Sequence, residues 1–244
     1  MTQALFNKYR PKCWADYIGH QHMRKSIALY HKRGTLGGRT FMLSGPSGIG
    51  KSTAAYLIAS DVCDEDNIEE HDATTITPKD IEILEKKQGQ MLLGSKPGRA
   101  YIFNEVHGFR QDTIKTLLTT LERIHSRAVW IFTTTDTGKE KLFKEIDAHP
   151  LMSRCVNFEL KVEDYASDMI KRVMEIATIE ELGGATHEEF VKLAADCKFN
   201  MRAMLTEVEK GTMMREVVTV RGNPRKPQVV RAGIDWDAVE MVSA

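Results

Sequence analysis

Over the first 160 residues, short unbroken apolar runs alternate with longer amphipathic ones. Phe41-Met42-Leu43, AYIF (100–103) and AVWIFTTT (128–135) show no polar face, which predicts strands buried on both sides, as in a parallel sheet. IEEHDATT (68–75) and CVNFEL (155–160) complete five predicted strands. Between them, Met23 to His31, the run after Thr53, PKDIEILEKKQ from Pro78 and RQDTIKTLLTTLERI read as helices. In the last, Ile114, Leu117, Leu118, Leu121 and Ile124 share one face. Strands alternating with helices imply a three-layer α/β/α fold around a parallel sheet. After Leu160 the strand rhythm stops. Helical segments over roughly 162–178, 187–198 and 200–211 predict a small all-helical domain, with Gly183-Gly184 in the first gap and Asn200 as a cap. The expected division is an α/β domain over 1–160, a helical domain over 161–212 and an irregular basic tail over 213–244, carrying Arg215, Arg221, Arg225, Lys226 and Arg231.

Composition narrows the class without deciding the chemistry. Hydrophobic residues make up 42% and charged residues 28% of the 244, which is the balance of a globular chain and not of a disordered one. Lys+Arg and Asp+Glu both total 34, so any basic surface for nucleic acid has to be local. No apolar run reaches the roughly 18–20 residues of a membrane span, and Met1 to Arg10 lacks the apolar core of a signal peptide, so a cytoplasmic protein with no membrane partner is expected. Cys13, Cys63, Cys155 and Cys197 are scattered without a C-x-x-C pair, which reads as reduced thiols.

The sharpest local signal is FMLSGPSGIGKSTAAYLIAS (41–60). Gly45-Pro46-Ser47-Gly48-Ile49-Gly50-Lys51-Ser52 fits G-x-x-x-x-G-K-[ST] between an apolar strand and a helix, the context that phosphate cradle needs. Glycines let backbone N–H groups turn toward phosphate oxygens, and the helix N-terminus adds positive potential. In this reading Lys51 reaches the β- and γ-phosphates and Ser52 ligates Mg²⁺. The strand at 100–103 runs into Asn104-Glu105, where nucleotide hydrolases of this type end in Asp-Glu. Glu105 is the candidate for polarising water. Asn104 keeps a carbonyl oxygen but lacks the charge expected beside a dication, leaving either a slow ATPase or a nucleotide-binding relic.

Several ordered motifs together resemble the AAA+ clamp-loader ATPase subunits, of the replication factor C small-subunit and bacterial gamma/tau type, over roughly residues 5–212. KYRPKCWADYIGHQH (8–22) resembles their adenine-packing stretch, GPSGIGKST (45–53) their Walker A loop, and YIFNEVHGF their Walker B strand. IFTTTD (131–136) resembles sensor 1, LMSRC (151–155) the arginine-finger motif, and FNMRAML (199–205) the sensor 2 helix of a lid domain. The resemblance implies a P-loop (AAA+) fold with a helical lid over 161–212. It implies ATP held by Tyr9, Arg10, Pro11, Ile18, Gly45, Pro46, Ser47, Gly48, Ile49, Gly50, Lys51, Ser52, Thr53 and Arg202. Magnesium would be held by Ser52 and Asn104, and catalysis would rest on Lys51, Glu105 and Thr135, with Arg154 acting on a neighbour's site. Implied partners are other clamp-loader subunits, a sliding clamp and primer–template DNA contacted through phosphates. The helix starts at Thr77-Pro78-Lys79 and Arg110-Gln111-Asp112, with Lys115, are the expected phosphate contacts. No collar domain of the family kind is evident after 212. Two other readings stand beside this one: a non-hydrolysing ATP-binding scaffold, and another AAA+ remodeller such as a recombination helicase or helicase loader. If the first reading holds, Asn104→Asp is expected to raise the rate.

Overall fold

Five strands, β1 (Arg39–Ser44), β2 (Ile68–Asp72), β3 (Arg99–Asn104), β4 (Ala128–Thr134) and β5 (Val156–Glu159), form one sheet in the order β2-β3-β4-β1-β5. Every pairing is parallel. These relations come from a computed structural model that describes residues 3–90, 92, 94–140 and 149–214. The helices are α1 (Leu5–Lys8), α2 (Gln21–Lys32), α3 (Lys51–Val62), α4 (Pro78–Lys87), α5 (Gln111–Leu121), α6 (His149–Ser153), α7 (Ala166–Ile179), α8 (His187–Asp196) and α9 (Met201–Glu209).

Alternation along the strands sorts the core into two layers. Phe41, Leu43, Ala100, Ile102, Val129 and Ile131 face one side and join the buried residues of α2, α3 and α7–α9. Met42, Tyr101, Phe103, Trp130 and Phe132 face the other and join α4, α5 and α6. A strand buried on both faces needs no polar alternation, which is why β4 is buried at all seven positions. The result is the expected three-layer α/β/α sheet. Beyond Glu159 the described elements are helical, and they share their buried cluster with one sheet face. The chain up to Met214 is one compact unit. The tail expected from 213 lies, from residue 215 on, outside the described residues.

Three boundaries moved for local reasons. The strand expected over 68–75 stops at Asp72, whose carboxylate accepts from the Thr74 amide (2.8 Å) and hydroxyl (2.6 Å), closing an Asx turn in place of a ladder. The helix expected from 162 begins at Ala166, after a turn in which Tyr165 N–H donates to Val162. The helix expected to reach 198 ends at Asp196, because Lys198 and Phe199 take left-handed φ values of 52° and 54°.

Candidate nucleotide-binding site

Parallel strands bring their carboxyl ends to one edge of the sheet, and a cleft opens there. Its floor is the loop from Ser47 to Thr53 at the start of α3. Gly50 caps α3 at φ 101°, and Gly48 turns at φ 78° so close to α9 that a Cβ there would sit 2.0 Å from Asn200 Oδ1. Only a residue without a side chain fits at Gly48. Lys51 is buried, and its ammonium donates to the Gly45 (2.8 Å) and Pro46 (2.7 Å) carbonyls. Burial lowers its pKa, and the charges of Glu105 and Asp136 act in the opposite direction.

Glu105 lines the cleft from the end of β3. Its backbone is left-handed at φ 53°, a strained setting for a side chain with a Cβ, and His107 Nδ1 lies 3.3 Å from its carboxylate. Thr133 of β4, almost fully buried, lines the same cleft. From the front come Phe6, Asn7, Tyr9, Arg10, Pro11, Tyr17 and Ile18, and from the helical side Tyr165, Met201, Arg202 and Leu205. The Arg202 guanidinium stands 5.3 Å from the Phe6 ring centre. Lys8 Nζ (2.6 Å) and the Tyr9 hydroxyl both donate to Glu180, just past α7, and Arg10 donates to the Ser52 carbonyl at 3.3 Å.

Of the residues singled out in the sequence, the structure thus gathers Tyr9, Arg10, Pro11, Ile18, Ser47 to Thr53, Glu105 and Arg202 around one cleft. Gly45 and Pro46 stand behind it as acceptors for Lys51. Three others lie elsewhere. Thr135 accepts from the Gly138 amide at 3.1 Å at the start of the helical turn at 136–140, while Thr133, two residues earlier, lines the cleft. Arg154 donates to the Pro150 carbonyl at 2.9 Å and pairs with Glu122, away from its own chain's cleft. Asn104 is spanned: its Nδ2 donates to Glu70 of β2, and its Oδ1 accepts from the Thr133 hydroxyl at 2.9 Å. Sequence reasoning missed Phe6, Asn7, Tyr17, Thr133, Tyr165, Met201 and Leu205. Met201 and Leu205 carried a signal, being apolar residues one helical turn apart beside Arg202. Tyr165 carried none.

The model of the ATPase family associated with various cellular activities (AAA) matches residues 41–163. The chain belongs to that family. The AAA chain is 26% identical over 236 residues to DNA polymerase III subunit tau/gamma of Haemophilus influenzae, covering 87% of this chain and 33% of that protein. It is 29% identical over 220 residues to DNA polymerase III subunit gamma of Buchnera aphidicola subsp. Schizaphis graminum, covering 80% and 56%. It thus spans between a third and somewhat over half of these relatives, and the resemblance read from its motifs is borne out. Among solved structures, the Thermotoga maritima RuvB Holliday junction branch migration motor superposes with a TM-score of 0.61 at 20% identity, over 82% of this chain and 64% of that one, a likeness of fold. Among the described residues no helix is long and apolar enough to cross a membrane.

Proposed function

We propose that the chain is a clamp-loader-type ATPase subunit, which binds ATP with Mg²⁺ at this cleft and uses hydrolysis to help place a sliding clamp on primer–template DNA. The observation that carries the reading is the convergence of a glycine loop with Lys51, an acidic strand end at Glu105 and a cation at Arg202 on one cleft with an apolar front. Loop N–H groups and Lys51 would hold the phosphates, and Arg202 would add a third positive contact. Phe6, Pro11 and Ile18 would pack on the base. Glu105 would orient the attacking water and accept its proton. The similarity to DNA polymerase III gamma and tau subunits supports the clamp-loading part.

The donor set fits a magnesium ion held mainly by phosphate oxygens and water. Ser52 offers a hydroxyl on the cleft, whereas the Asn104 oxygen is already engaged by Thr133. Ser52 is therefore the protein ligand of this proposal, and the ion would supply charge neutralisation on the phosphates. For DNA, α5 is the better of the two expected helix starts. Arg110 makes no side-chain cap bond there, and Arg110 and Lys115 are exposed, though Asp112 in the first turn accepts from the Thr113 amide at 2.8 Å. The start of α4 is closed by a Thr77–Asp80 capping box that brings its own carboxylate.

Steady-state ATP turnover, measured with and without primed DNA and a sliding clamp, tests the reading. DNA-stimulated turnover that disappears in Glu105→Gln while ATP binding persists is expected. Asn104 favours one rival, an ATP-binding scaffold, which predicts binding with no turnover under any condition.

A further inference from the structure

Asn104 stands where a carboxylate was expected, and its two hydrogen bonds give a reason. It bridges three adjacent strands, β2 through Glu70, its own β3, and β4 through Thr133. A glutamate carboxylate can only accept hydrogen bonds. The group at 104 that meets Glu70 must therefore be a donor, and the amide nitrogen is the only one Asn104 has. That choice turns Oδ1 toward Thr133. An amide oxygen is also acceptor-only, so the Thr133 hydroxyl must spend its proton on it. Thr133 lines the cleft, and what it has left to offer a ligand there is lone pairs.

We propose that Glu70 is a positioning residue for ATP hydrolysis: acting through Asn104, it fixes the hydrogen-bond polarity of Thr133, so that Thr133 faces the cleft as an acceptor. This deepens the ATPase reading and rests on it. A water between Glu105 and the γ-phosphate has two hydrogens. Glu105 takes one, and Thr133 holds the other, leaving an oxygen lone pair free for phosphorus. With the amide reversed, Thr133 would aim a proton into the cleft and compete for the same lone pair. The negative charge expected at 104 sits instead on Glu70, one strand over. An aspartate at 104 would meet that carboxylate acceptor to acceptor, with like charges and no proton between them. Asn104→Asp is therefore expected to weaken the bridge to β2, and not to raise the rate as expected from the sequence.

A cycle of substitutions in the full chain tests this, read by kcat and KM for ATP, by ATPγS binding, and by the melting temperature without nucleotide. Glu70→Lys replaces an acceptor-only group with a donor-only one and inverts the relay. It is expected to lower kcat about tenfold, the rate equivalent of one net hydrogen bond, with KM and ATPγS affinity within about twofold. Glu70→Gln can still accept and should stay within about threefold of wild type. Because it still accepts from Thr133, Asn104→Asp should show its loss in stability, melting about 2–4 °C earlier, with no gain in kcat. Glu70→Lys combined with Asn104→Asp gives 104 a donor partner again and keeps it an acceptor for Thr133, so both kcat and melting temperature should recover. A normal kcat in Glu70→Lys, or a faster and equally stable Asn104→Asp, overturns the proposal. A wild-type chain that binds ATPγS but turns over no ATP overturns the hydrolysis reading and the positioning role with it. The melting temperatures then still decide the bridge, since additive losses in the double variant would rule it out.

Discussion

Lys51 spends its ammonium on two carbonyls of its own loop, Gly45 and Pro46, so its removal acts twice. Lys51→Ala should abolish the thermal shift produced by ATP, and it should cost the nucleotide-free protein about 1–3 kcal/mol from two lost charge-assisted bonds. Calorimetry with and without ATP separates the two effects. His20 gives a pH dependence. It is buried at a left-handed turn and stacks on Tyr165 with ring centres 5.2 Å apart. Burial lowers its pKa, with the Ile49 backbone and the Asp164 charge partly opposing. Because the folded value lies below the unfolded one, the unfolded chain binds the extra proton. Stability is complete above about pH 6.5 and falls as the pH drops below it, by up to about 1.4 kcal/mol per unit until the buried ring itself is protonated. Melting curves at pH 7.5 and 5.5 should show wild type losing more than His20→Phe; equal losses would remove His20 as the cause. At this scale the sequence announced Lys51, Ser52, Glu105 and Arg202, because motif spacing ties each to a neighbour in the chain. It was silent on Glu70, since the contact with Asn104 depends on strand register, Asp72 opposite Asn104 and Glu70 opposite Ile102.

The start of α9 carries two duties at once. Asn200 accepts from the Ala203 amide at 3.1 Å as its cap, and the same Oδ1 blocks any side chain at Gly48 of the phosphate loop. Asn200→Ala should cost about 1 kcal/mol, the usual worth of such a cap, or about 2–4 °C in melting temperature. Gly48→Ala should cost more and weaken ATP binding, because its φ of 78° disfavours any Cβ even where space exists; retention of wild-type ATP affinity would show that the loop yields. Elements were legible where burial is total. β4, buried throughout, and α5, with its amphipathic face, match their patterns closely. Legibility failed where side chains bond their own backbone. Asp72 cut β2 short in this way, and the Thr135 hydroxyl accepts from the Gly138 amide, a local bond that the motif reading did not foresee.

Across the whole molecule, the cleft joins positions from Phe6 to Leu205. A ligand there holds together the phosphate loop, the ends of β3 and β4 and the helical side, and ATP at a hundredfold above its Kd should raise the melting temperature by about 5–10 °C. Arg154 lies outside this set, paired with Glu122. If it serves a neighbouring chain, Arg154→Ala should bind ATP normally and lose turnover, and mixing it with Glu105→Gln should give more activity than either variant alone. Wild-type turnover in Arg154→Ala at every concentration would exclude that role. The order of the sheet has one more consequence, for synthesis. β1 lies between β4 and β5, with Arg39 opposite Val129 and Phe41 opposite Val156. On a ribosome, Phe41, Met42 and Leu43 emerge with both ladder edges open and wait roughly 5 to 20 seconds for β4, their first pairing partner, to arrive. The strand that anchors the phosphate loop is thus also an adhesive segment of the nascent chain, and slowed elongation between β1 and β4 should send more of the product into inclusion bodies than the same delay after β5.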